Sequence, residues 1–519
     1  MFHVVHTFAL VGVEPIRIRV EITIRRGTPG IRTSGLALSA ARETVERIRA
    51  AAANLGIRIP GLRITVNLAP ADIPKAGASF DLPVLIGVLA GAGAIQARQL
   101  ARTAFVGELG LDGSIRPVRG ILPMALRCRT ETDLETLVVP RDNVAEVAGV
   151  PDVNVLGALD VAAVLAYLDG TGDLVLPGSP PARHSDRELP DLDDVRGQVA
   201  AKRALEIAAA GGHHLLLSGE PGSGKTMLAM RLPGLLPPLR PHEALEVSAV
   251  QSVSGCLGPG SPLLRRRPFR APHHSVTSAG LLGGGAVPRP GEASLAHRGV
   301  LFLDELPEFR PAVLDALRAP LEQGVVHIVR ARGAVTFPAS FQLIAAMNPC
   351  PCGFHTSSSG RCTCDAWMIR RYESRISGPL LDRFDLRVEI PAVRWADLRG
   401  EPSPDGTTAE RRIRVLQARN RALHRSARMI DSDSRVPTCN ADLGPREIRR
   451  QCALDACGET LLGRSVQRYA LSARGCDRIL RVARTVADLE GSPNIQVSHV
   501  AEALHYRRPA RGLEGSRPA

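Results

Sequence analysis

The sequence predicts an α/β protein with three structured parts, and three observations support this. The chain has 519 residues, which is too long for a single domain. Between residues 191 and 398, short apolar segments typical of buried strands alternate with helical segments, as a parallel sheet requires. From about residue 408 to 510, helical periodicity continues with few strand signals. A parallel-sheet core is therefore expected between an N-terminal domain and a helical C-terminal subdomain.

The N-terminal part, residues 1–167, predicts an α+β domain. Ile16–Ile24 alternates strictly between apolar and polar residues, which indicates a strand with one solvated face. The other predicted elements are helices at Ser39–Leu55 and Phe80–Ala92 and strands at Leu62–Leu68, Ala104–Leu109 and Leu137–Val139.

Composition shifts mark the boundaries between the parts. Residues 168–190 are rich in glycine and proline and predict a linker. The core is expected at 191–398, the helical lid at 399–510 and a frayed tail at 511–519.

The charge and the cysteine content narrow the class of protein. The net charge is +13 and the pI is about 9.8, which favours a polyanionic partner such as nucleic acid. The alternative is an arginine-rich composition whose charges are merely solvated. No apolar run is long enough to cross a membrane and no secretory leader is evident. Ten cysteines in a chain of this length do not form a disulfide scaffold, so we expect a cytoplasmic protein without a membrane partner.

One segment matches the phosphate-binding P-loop pattern G-x-x-x-x-G-K-[ST]. An apolar strand, His213–Ser218, precedes it and an apolar helical run follows it, which is the context that the motif needs. Its residues are Gly219, Glu220, Pro221, Gly222, Ser223, Gly224, Lys225 and Thr226. Backbone N–H groups of such a loop bind phosphates, the lysine neutralises them, and the Thr226 hydroxyl binds Mg²⁺. The alternative is a glycine-rich turn before a helix.

Two later strands end in polar residues that suit hydrolysis of a nucleotide. Val300–Leu303 is followed by Asp304 and Glu305, which are predicted to bind Mg²⁺ and to polarise the attacking water. A further apolar strand ends at Asn348, which is predicted to orient that water.

Two arginines are candidates for contact with the nucleotide phosphates. Arg383 lies on a loop that is expected to face away from its own nucleotide, as an arginine finger does when it acts on the neighbouring subunit of a ring. Arg474 begins a helix of the lid and is assigned to the same subunit as Lys225, although its action in cis or in trans stays open.

The order of these motifs resembles an AAA+ P-loop NTPase with a C-terminal helical lid. Five further segments are similar to the magnesium-chelatase-like YifB/ComM family, namely Arg267–His274, Gly283–Gly285, Pro290–Glu292, Leu295–His297 and Asn348–Gly353. The resemblance covers nearly the whole chain. It implies a ring-forming ATPase, expected to be a hexamer, that uses ATP and Mg²⁺. It also implies a branch-migration helicase that acts on single-stranded or branched DNA in recombination and natural transformation, beside the recombinase machinery.

The resemblance also indicates which loop contacts DNA. Glu322–Val335 alternates and then turns, and it is similar to the hairpin that lines the pore of MCM-type helicases. Arg330 and Arg332 fall at its tip, where a basic residue would contact phosphates. The alternative is a solvated hairpin.

Four cysteines form a compact cluster after Asn348. Cys350, Cys352, Cys362 and Cys364 have a spacing that could close a structural Zn²⁺ site. The alternative is four reduced thiols in a glycine- and serine-rich loop.

The N-terminal domain resembles Lon-type Ser-Lys proteases, which have a ribosomal S5-like fold. Ser79 falls at the nucleophile position of that family and Leu122 at the position of its catalytic lysine. Without that amine nothing lowers the cost of deprotonating Ser79, so we expect a proteolytically inactive domain.

Two alternative functions remain. One is an ATP-dependent chaperone or protease, against which Leu122 argues. The other is a magnesium-chelatase-type motor subunit, to which the Lon-like domain and the cysteine cluster are expected to be foreign.

Overall fold

A computed structural model describes residues 2–507 except 58, 60, 76, 96–99, 149, 151, 153, 179–189, 258–262, 331–332, 357–359, 394–405 and 430–436. Residues 179–189 of the predicted linker and the whole predicted tail therefore lie outside the described residues. Within those residues, no helix combines the length and the apolar composition that are needed to cross a membrane.

The N-terminal domain is built on a seven-stranded mixed sheet in the order β3-β4-β2-β1-β5-β8-β9. The pairs β4–β2 and β2–β1 are antiparallel, and the other four pairs are parallel. The strands are β1 (Phe2–Val11), β2 (Glu14–Arg25), β3 (Gly30–Ser34), β4 (Arg63–Ala69), β5 (Thr103–Phe105), β8 (Thr136–Pro140) and β9 (Val155–Ala158), beside a small hairpin of β6 (Glu108–Leu109) and β7 (Ile115–Arg116). The helices are α1 (Leu38–Asn54), α2 (Asp81–Gly91), α3 (Ile121–Thr130) and α4 (Val161–Leu168).

Most of the elements predicted in this domain are confirmed, and two differences have physical causes. Strand β1 was not predicted, because Val5–Ala9 are all buried and the segment therefore lacks polar alternation. The single strand predicted at Ala104–Leu109 is wrong in extent. The Gly107 N–H donates to the Ser79 carbonyl at 3.1 Å, so the chain leaves the sheet between β5 and β6.

The core is a five-stranded parallel sheet in the order β11-β14-β17-β10-β18. Its strands are β10 (Leu215–Gly219), β11 (Phe269–Arg270), β14 (Val300–Leu303), β17 (Gln342–Met347) and β18 (Leu386–Ile390). Two hairpins project from it, β12 (Gly283–Gly284) with β13 (Arg289–Pro290) and β15 (Val325–Arg330) with β16 (Gly333–Pro338). The helices are α5 (Val199–Gly211), α6 (Lys225–Ala229), α7 (Leu232–Leu235), α8 (Pro241–Ser254), α9 (Ser278–Leu282), α10 (Glu292–Leu295), α11 (Pro311–Ala316), α12 (Arg318–Gln323), α13 (Ala366–Glu373) and α14 (Gly378–Leu381).

The regular elements in the described residues of the lid are all helices, as predicted. Its helices are α15 (Thr408–Met429), α16 (Pro445–Gln451), α17 (Ala456–Tyr469), α18 (Ala473–Glu490) and α19 (Val497–His505). Helix α18 is the central one: its apolar side, for example Ile479, Val482 and Val486, is buried in the same core as Leu205 of α5. The lid therefore packs on the sheet through α5 and forms one hydrophobic core with it.

Within the described residues, two contacts join the N-terminal domain to the core. The turn between β1 and β2 touches the β15–β16 hairpin, where a β-carbon added at Gly12 would lie 2.7 Å from Val335 Cγ1. Helix α3 packs on α8, and the Ser252 hydroxyl of α8 donates to Glu146 Oε2 at 2.6 Å. Burial raises the pKa of Glu146, although hydrogen bonds from Ser252 and Asn143 act in the opposite direction.

Candidate functional site

The P-loop connects β10 to α6 at the carboxyl edge of the parallel sheet. Gly222 and Gly224 have φ angles of 78° and 92°, a left-handed conformation that glycine adopts without strain. Gly219 packs so closely on β18 that a β-carbon there would lie 2.3 Å from the Ile390 carbonyl oxygen. The glycines therefore serve two purposes, since they allow the loop to turn and they let it sit tightly on the neighbouring strand.

The Lys225 ammonium points into the P-loop. Its Nζ donates to the carbonyl oxygens of Gly219 and Glu220, both at 2.8 Å. Burial lowers the pKa of Lys225, while the charges of Asp304 and Glu220 act in the opposite direction. The side chain is therefore held at the centre of the loop, where a phosphate would be bound.

The predicted Mg²⁺ ligands meet across the sheet edge. Thr226 Oγ1 donates to Asp304 Oδ2 at 2.6 Å, although 78 residues separate them. Glu305 follows in a left-handed conformation with φ 52°, which is uncommon for a residue with a β-carbon. Such strain is often found at functional sites. The hydroxyl and the carboxylate thus form a pair of oxygen ligands that suits Mg²⁺, and Glu305 is placed beside them.

His274 faces Glu305, a neighbour that the sequence did not reveal. Its Nδ1 lies 3.5 Å from Glu305 Oε2, and its ring packs edge-on against the buried Phe309. The order of the strands could have indicated this contact, because His274 follows β11 and Asp304 and Glu305 follow its neighbour β14. This histidine is therefore placed to hold the Glu305 carboxylate in one orientation.

Asn348 emerges from β17, which lies between β14 and β10 in the sheet. The segment Cys350–Cys364 follows Asn348, and we call it the cysteine loop. This loop lies against the P-loop. A β-carbon at Gly353 would come within 2.6 Å of the Pro221 ring and 3.9 Å of Asn348 Cγ. The cysteine loop is thus a direct neighbour of the nucleotide site.

The four clustered cysteines have their sulfur atoms directed at one point. Cys350 Sγ lies 3.3 Å from Cys352 Sγ and 3.9 Å from Cys362 Sγ, and the Cys352–Cys362 sulfur distance is 3.6 Å. The Cys364 sulfur completes the cluster, and all four sulfurs lie within 4.8 Å of one another. Zinc–sulfur bonds of about 2.3 Å in a tetrahedron place sulfurs about 3.8 Å apart. Hydrogen bonds from the Phe354 and Thr363 backbone lower the pKa of Cys352 to about 5, so its thiolate is favoured.

Arg383 lies at the opposite edge of the sheet from the P-loop of its own chain. Arg383 precedes β18. The N–H of Asp385, two residues further on, donates to the carbonyl of His214, the residue before β10. The five residues of β10 separate that edge from the P-loop by about 16 Å. Arg383 therefore cannot reach its own nucleotide, and it forms an ion pair with Glu322 of α12.

Arg474 lies on the same side as Arg383. Arg474 stands in the first turn of α18. One turn later in the same helix, Arg478 contacts Asp382 at 3.5 Å and Asp385 at 3.7 Å. Burial, followed by the charge of Arg474, lowers the pKa of Arg383. The structure thus brings Arg474 close to Arg383. The assignment of Arg474 to its own subunit's nucleotide or to its neighbour's stays a prediction.

Arg330 occupies the last paired position of the β15–β16 hairpin, opposite Gly333. It is exposed, and a β-carbon at Gly284 of the β12–β13 hairpin would lie 3.3 Å from its guanidinium. The two projecting hairpins therefore meet at Arg330. Arg332 lies outside the described residues.

The region that resembles a protease lacks the expected amine. Leu122 is fully buried in α3. Lys75, four positions before Ser79, donates to the carbonyls of Pro70 and Ile73, and burial lowers its pKa.

Comparison with known proteins identifies relatives along the whole chain. Family models described as magnesium chelatase subunit ChlI, subunit ChlI of Mg-chelatase and magnesium chelatase subunit ChlI C-terminal match residues 191–398, 20–143 and 405–507, respectively. Because one of these models covers the N-terminal domain, that domain no longer separates the chain from chelatase subunits.

Two full-length relatives carry the family assignment. Competence protein ComM of Haemophilus influenzae is 42% identical over 98% of both chains. The uncharacterized protein YifB of Escherichia coli is 43% identical over 97% of this chain and 96% of its own. In contrast, the magnesium-chelatase 67 kDa subunit of Heliobacterium mobile is 28% identical over only 30% of this chain and 28% of its own. The chain therefore belongs to the YifB/ComM family of magnesium-chelatase-like AAA+ ATPases.

Proposed function

We propose that this protein is an ATP-driven DNA motor that works as a hexameric ring and moves branch points in DNA during recombination. The observation that carries the proposal is the connection between Arg383 and the β15–β16 hairpin. Arg383 pairs with Glu322, and the helix that holds Glu322 continues into β15 after a single glycine, Gly324. A residue that would sense the neighbouring nucleotide is thereby joined to a hairpin that would contact DNA.

Each subunit would supply one half of a nucleotide site. Lys225 would bind the phosphates, and Thr226 with Asp304 would hold Mg²⁺, which neutralises charge that develops during phosphoryl transfer. Glu305 would polarise the attacking water and Asn348 would orient it. Their convergence at one sheet edge supports these roles.

The neighbouring subunit would supply the arginines. Arg383 and Arg474 lie together on the edge remote from their own P-loop, so a ring would bring both to the next subunit's phosphates. An arginine supplied in trans stabilises the charge of the transition state and accelerates hydrolysis by about 10³–10⁵. Arg474 therefore acts with Arg383 in trans in this proposal.

DNA would be held by its phosphates. Arg330 stands exposed where two hairpins meet, and a guanidinium there can track the backbone without reading bases. When ATP is hydrolysed at the interface, a shift of Arg383 would move Glu322, α12 and the hairpin together. The name of one relative, competence protein ComM, supports a role in competence.

The cysteine cluster would hold one structural Zn²⁺. Four thiolates leave no open coordination position, so the metal would serve to fix the loop rather than to perform chemistry. The contact of Gly353 with Pro221 supports a role for this loop in shaping the nucleotide site.

Substitution of Arg330 tests the DNA contact. We expect Arg330→Ala to weaken binding of single-stranded DNA and to remove most of the stimulation of ATP hydrolysis by DNA, while hydrolysis without DNA is retained. Arg42→Ala, at an exposed position on α1, removes the same charge far from the hairpin and is the matched control. Equal DNA binding by both variants and by the unmodified protein would contradict this assignment.

A magnesium-chelatase-type motor subunit is the second candidate, because the matching family models carry that description. Such a subunit would hydrolyse ATP faster with a tetrapyrrole-binding partner and would be indifferent to DNA. The same hydrolysis assay, performed with DNA, separates the two candidates.

A further inference from the structure

Part of the N-terminal sheet has one face that no element of the described residues covers. Helices α1 and α2 pack on the inner face, where Ile22, Ile48 and Leu85 are buried. Helix α3 covers the outer face around Phe8 and Leu122 and also contacts the first half of β2. In the part of the chain that the structure describes, the outer face of β3, β4, the second half of β2 and the first half of β1 is open to solvent, and we call it the open face.

The strand register arranges the side chains of the open face in rows. Arg25 of β2 stands directly opposite Arg63 of β4. The next row runs across four strands through Arg32, Thr65, Thr23 and Phe2. The row after it contains Ser34, Asn67, Glu21 and Val4. Arginines and small polar residues thus alternate on a flat surface with an aromatic ring at its edge.

The charge of the open face is strongly positive. Its exposed arginines are Arg19, Arg25, Arg32 and Arg63, and Arg26 follows in the loop after β2. Glu21 is the acid in these rows, and it already accepts hydrogen bonds from Arg19 at 3.1 Å and Asn67 at 2.9 Å. Within the described residues, Arg25, Arg26, Arg32 and Arg63 have no acidic partner.

The pairing of Arg25 with Arg63 is unfavourable for the isolated domain. Like charges directly opposite each other on one face of an antiparallel pair destabilise the sheet. Gly30, the parallel neighbour of Arg63, contributes no side chain, so nothing in that row offsets the repulsion. A bound anion with regularly spaced charges would remove this cost.

The exposed aromatic residue indicates which polyanion fits. Phe2 is 63% exposed at the end of the row that contains Arg32. Proteins that bind single-stranded nucleic acid combine a basic surface for the backbone with an aromatic ring on which an unpaired base stacks. A double helix offers no unstacked base for such a ring.

We propose that the open face is a second binding surface for single-stranded DNA, in addition to the Arg330 hairpin. The inference rests on the proposed DNA motor and deepens it. The hairpin of β1 and β2 connects the two surfaces, because its turn at Gly12 contacts Val335 of the β15–β16 hairpin. From that turn the ten residues of β1 lead over about 34 Å to Phe2 and Arg25. A strand that enters or leaves the pore would cross the open face.

The test uses the full-length protein and a fluorescein-labelled oligothymidylate, with the affinity measured by anisotropy at several salt concentrations. Each lost phosphate contact to a single strand changes the slope of log K against log salt by about 0.7. We therefore expect Arg25→Ala with Arg63→Ala to reduce the slope by about 1.4 and Phe2→Ala to weaken binding about fivefold or more. ATP hydrolysis without DNA should be unchanged in both.

Matched variants distinguish the outcomes. Arg42→Ala with Arg116→Ala removes the same charge on the helical side of the domain and should leave the slope unaltered. If the Arg25/Arg63 variant melts early, Arg26→Ala with Arg32→Ala replaces it on the same face. Unchanged slope and affinity in the open-face variants, together with weakened binding in Arg330→Ala, would overturn this inference and leave the motor intact.

Two further results would also overturn it. Absence of DNA binding by the unmodified protein at low salt would remove the proposed motor and this inference together. Loss of binding to phosphatidylglycerol vesicles in the Arg25/Arg63 variant, with DNA binding unchanged, would show that the open face binds lipid.

Discussion

Gly353 of the cysteine loop lies directly against Pro221 of the P-loop. An added β-carbon would come within 2.6 Å of the proline ring, and Gly353 also has a left-handed φ of 87°. The P-loop is therefore contacted by the segment that carries the four clustered cysteines. This contact links the candidate metal site to the candidate nucleotide site without any shared ligand.

Replacement of Gly353 by alanine should weaken nucleotide binding. The new methyl group would push the cysteine loop off Pro221, and overpacking of this kind costs about 1–3 kcal/mol. We expect the affinity for a fluorescent ATP analogue to fall by a factor of roughly ten or more. Gly360→Ala is the matched control, since Gly360 has a φ of 66° in the same loop but no atom within 4 Å of an added β-carbon. Equal losses in the two variants would show that backbone strain, and not the contact with Pro221, is responsible.

Mixed rings test whether Arg383 and Arg474 act in trans. Lys225→Ala disables a subunit's own nucleotide site but leaves its arginines intact, whereas Arg383→Ala or Arg474→Ala does the reverse. Each variant alone should lose ATP hydrolysis, by about 10³-fold or more for the arginine finger. Mixing Lys225→Ala subunits with either arginine variant should restore part of the activity, because intact arginines then face intact sites. Restoration with Arg383→Ala but not with Arg474→Ala would return Arg474 to a role in cis.

Metal analysis tests the cysteine cluster. We expect about one Zn²⁺ per chain by elemental analysis of the purified protein, since the four sulfurs lie within 4.8 Å of one another and could share one tetrahedral ion. Cys362→Ser with Cys364→Ser should release the metal and also weaken nucleotide binding through the contact between Gly353 and Pro221. Cys256→Ser, at an exposed cysteine outside the cluster, should change neither. Retention of full nucleotide affinity after metal loss would separate the cluster from the P-loop.

Glu146 should make the stability of the domain interface depend on pH. Burial raises the pKa of Glu146 in the folded protein above the ordinary value of 4.5, so the folded state binds the proton more tightly than the unfolded chain does. This contribution is complete below pH 4.5 and is lost as the pH rises through the folded pKa. Glu146→Gln stays neutral, so its melting temperature should rise relative to the unmodified protein as the pH increases above 4.5.

The control for Glu146 is Glu46→Gln, at an exposed position on α1. Thermal unfolding followed across this pH range compares the two substitutions. A difference between Glu146→Gln and the unmodified protein that does not vary with pH would contradict the assignment of a raised pKa to Glu146.

The sequence predicted the fold well where local patterns determine it. The P-loop pattern and the strand that ends at Asp304 located the carboxyl edge of the sheet, because motif and periodicity are both local signals. Strand β1 was missed because burial on both faces removes the alternation that identifies a strand. Its partner β2 was found because one of its faces is polar.

Relationships between distant segments could not be predicted in the same way. The contact of His274 with Glu305 and that of Gly353 with Pro221 depend on how loops from different strands fold back over one edge. Arg474 was grouped with Lys225 because the motif order gave no direction for the lid. The packing of α18 beside Asp385 depends on tertiary contacts, and it carries Arg474 to the edge that holds Arg383.

The central claim is that ATP hydrolysis by this protein is coupled to DNA, and the most direct measurement is its steady-state rate of ATP hydrolysis with and without single-stranded and forked DNA. Glu305→Gln, which retains the shape of the site without the base, is the control. We predict that DNA increases the rate several-fold in the unmodified protein and that Glu305→Gln abolishes hydrolysis in both conditions. A rate that Glu305→Gln abolishes but that DNA does not change would contradict the motor and direct attention to a protein or tetrapyrrole partner.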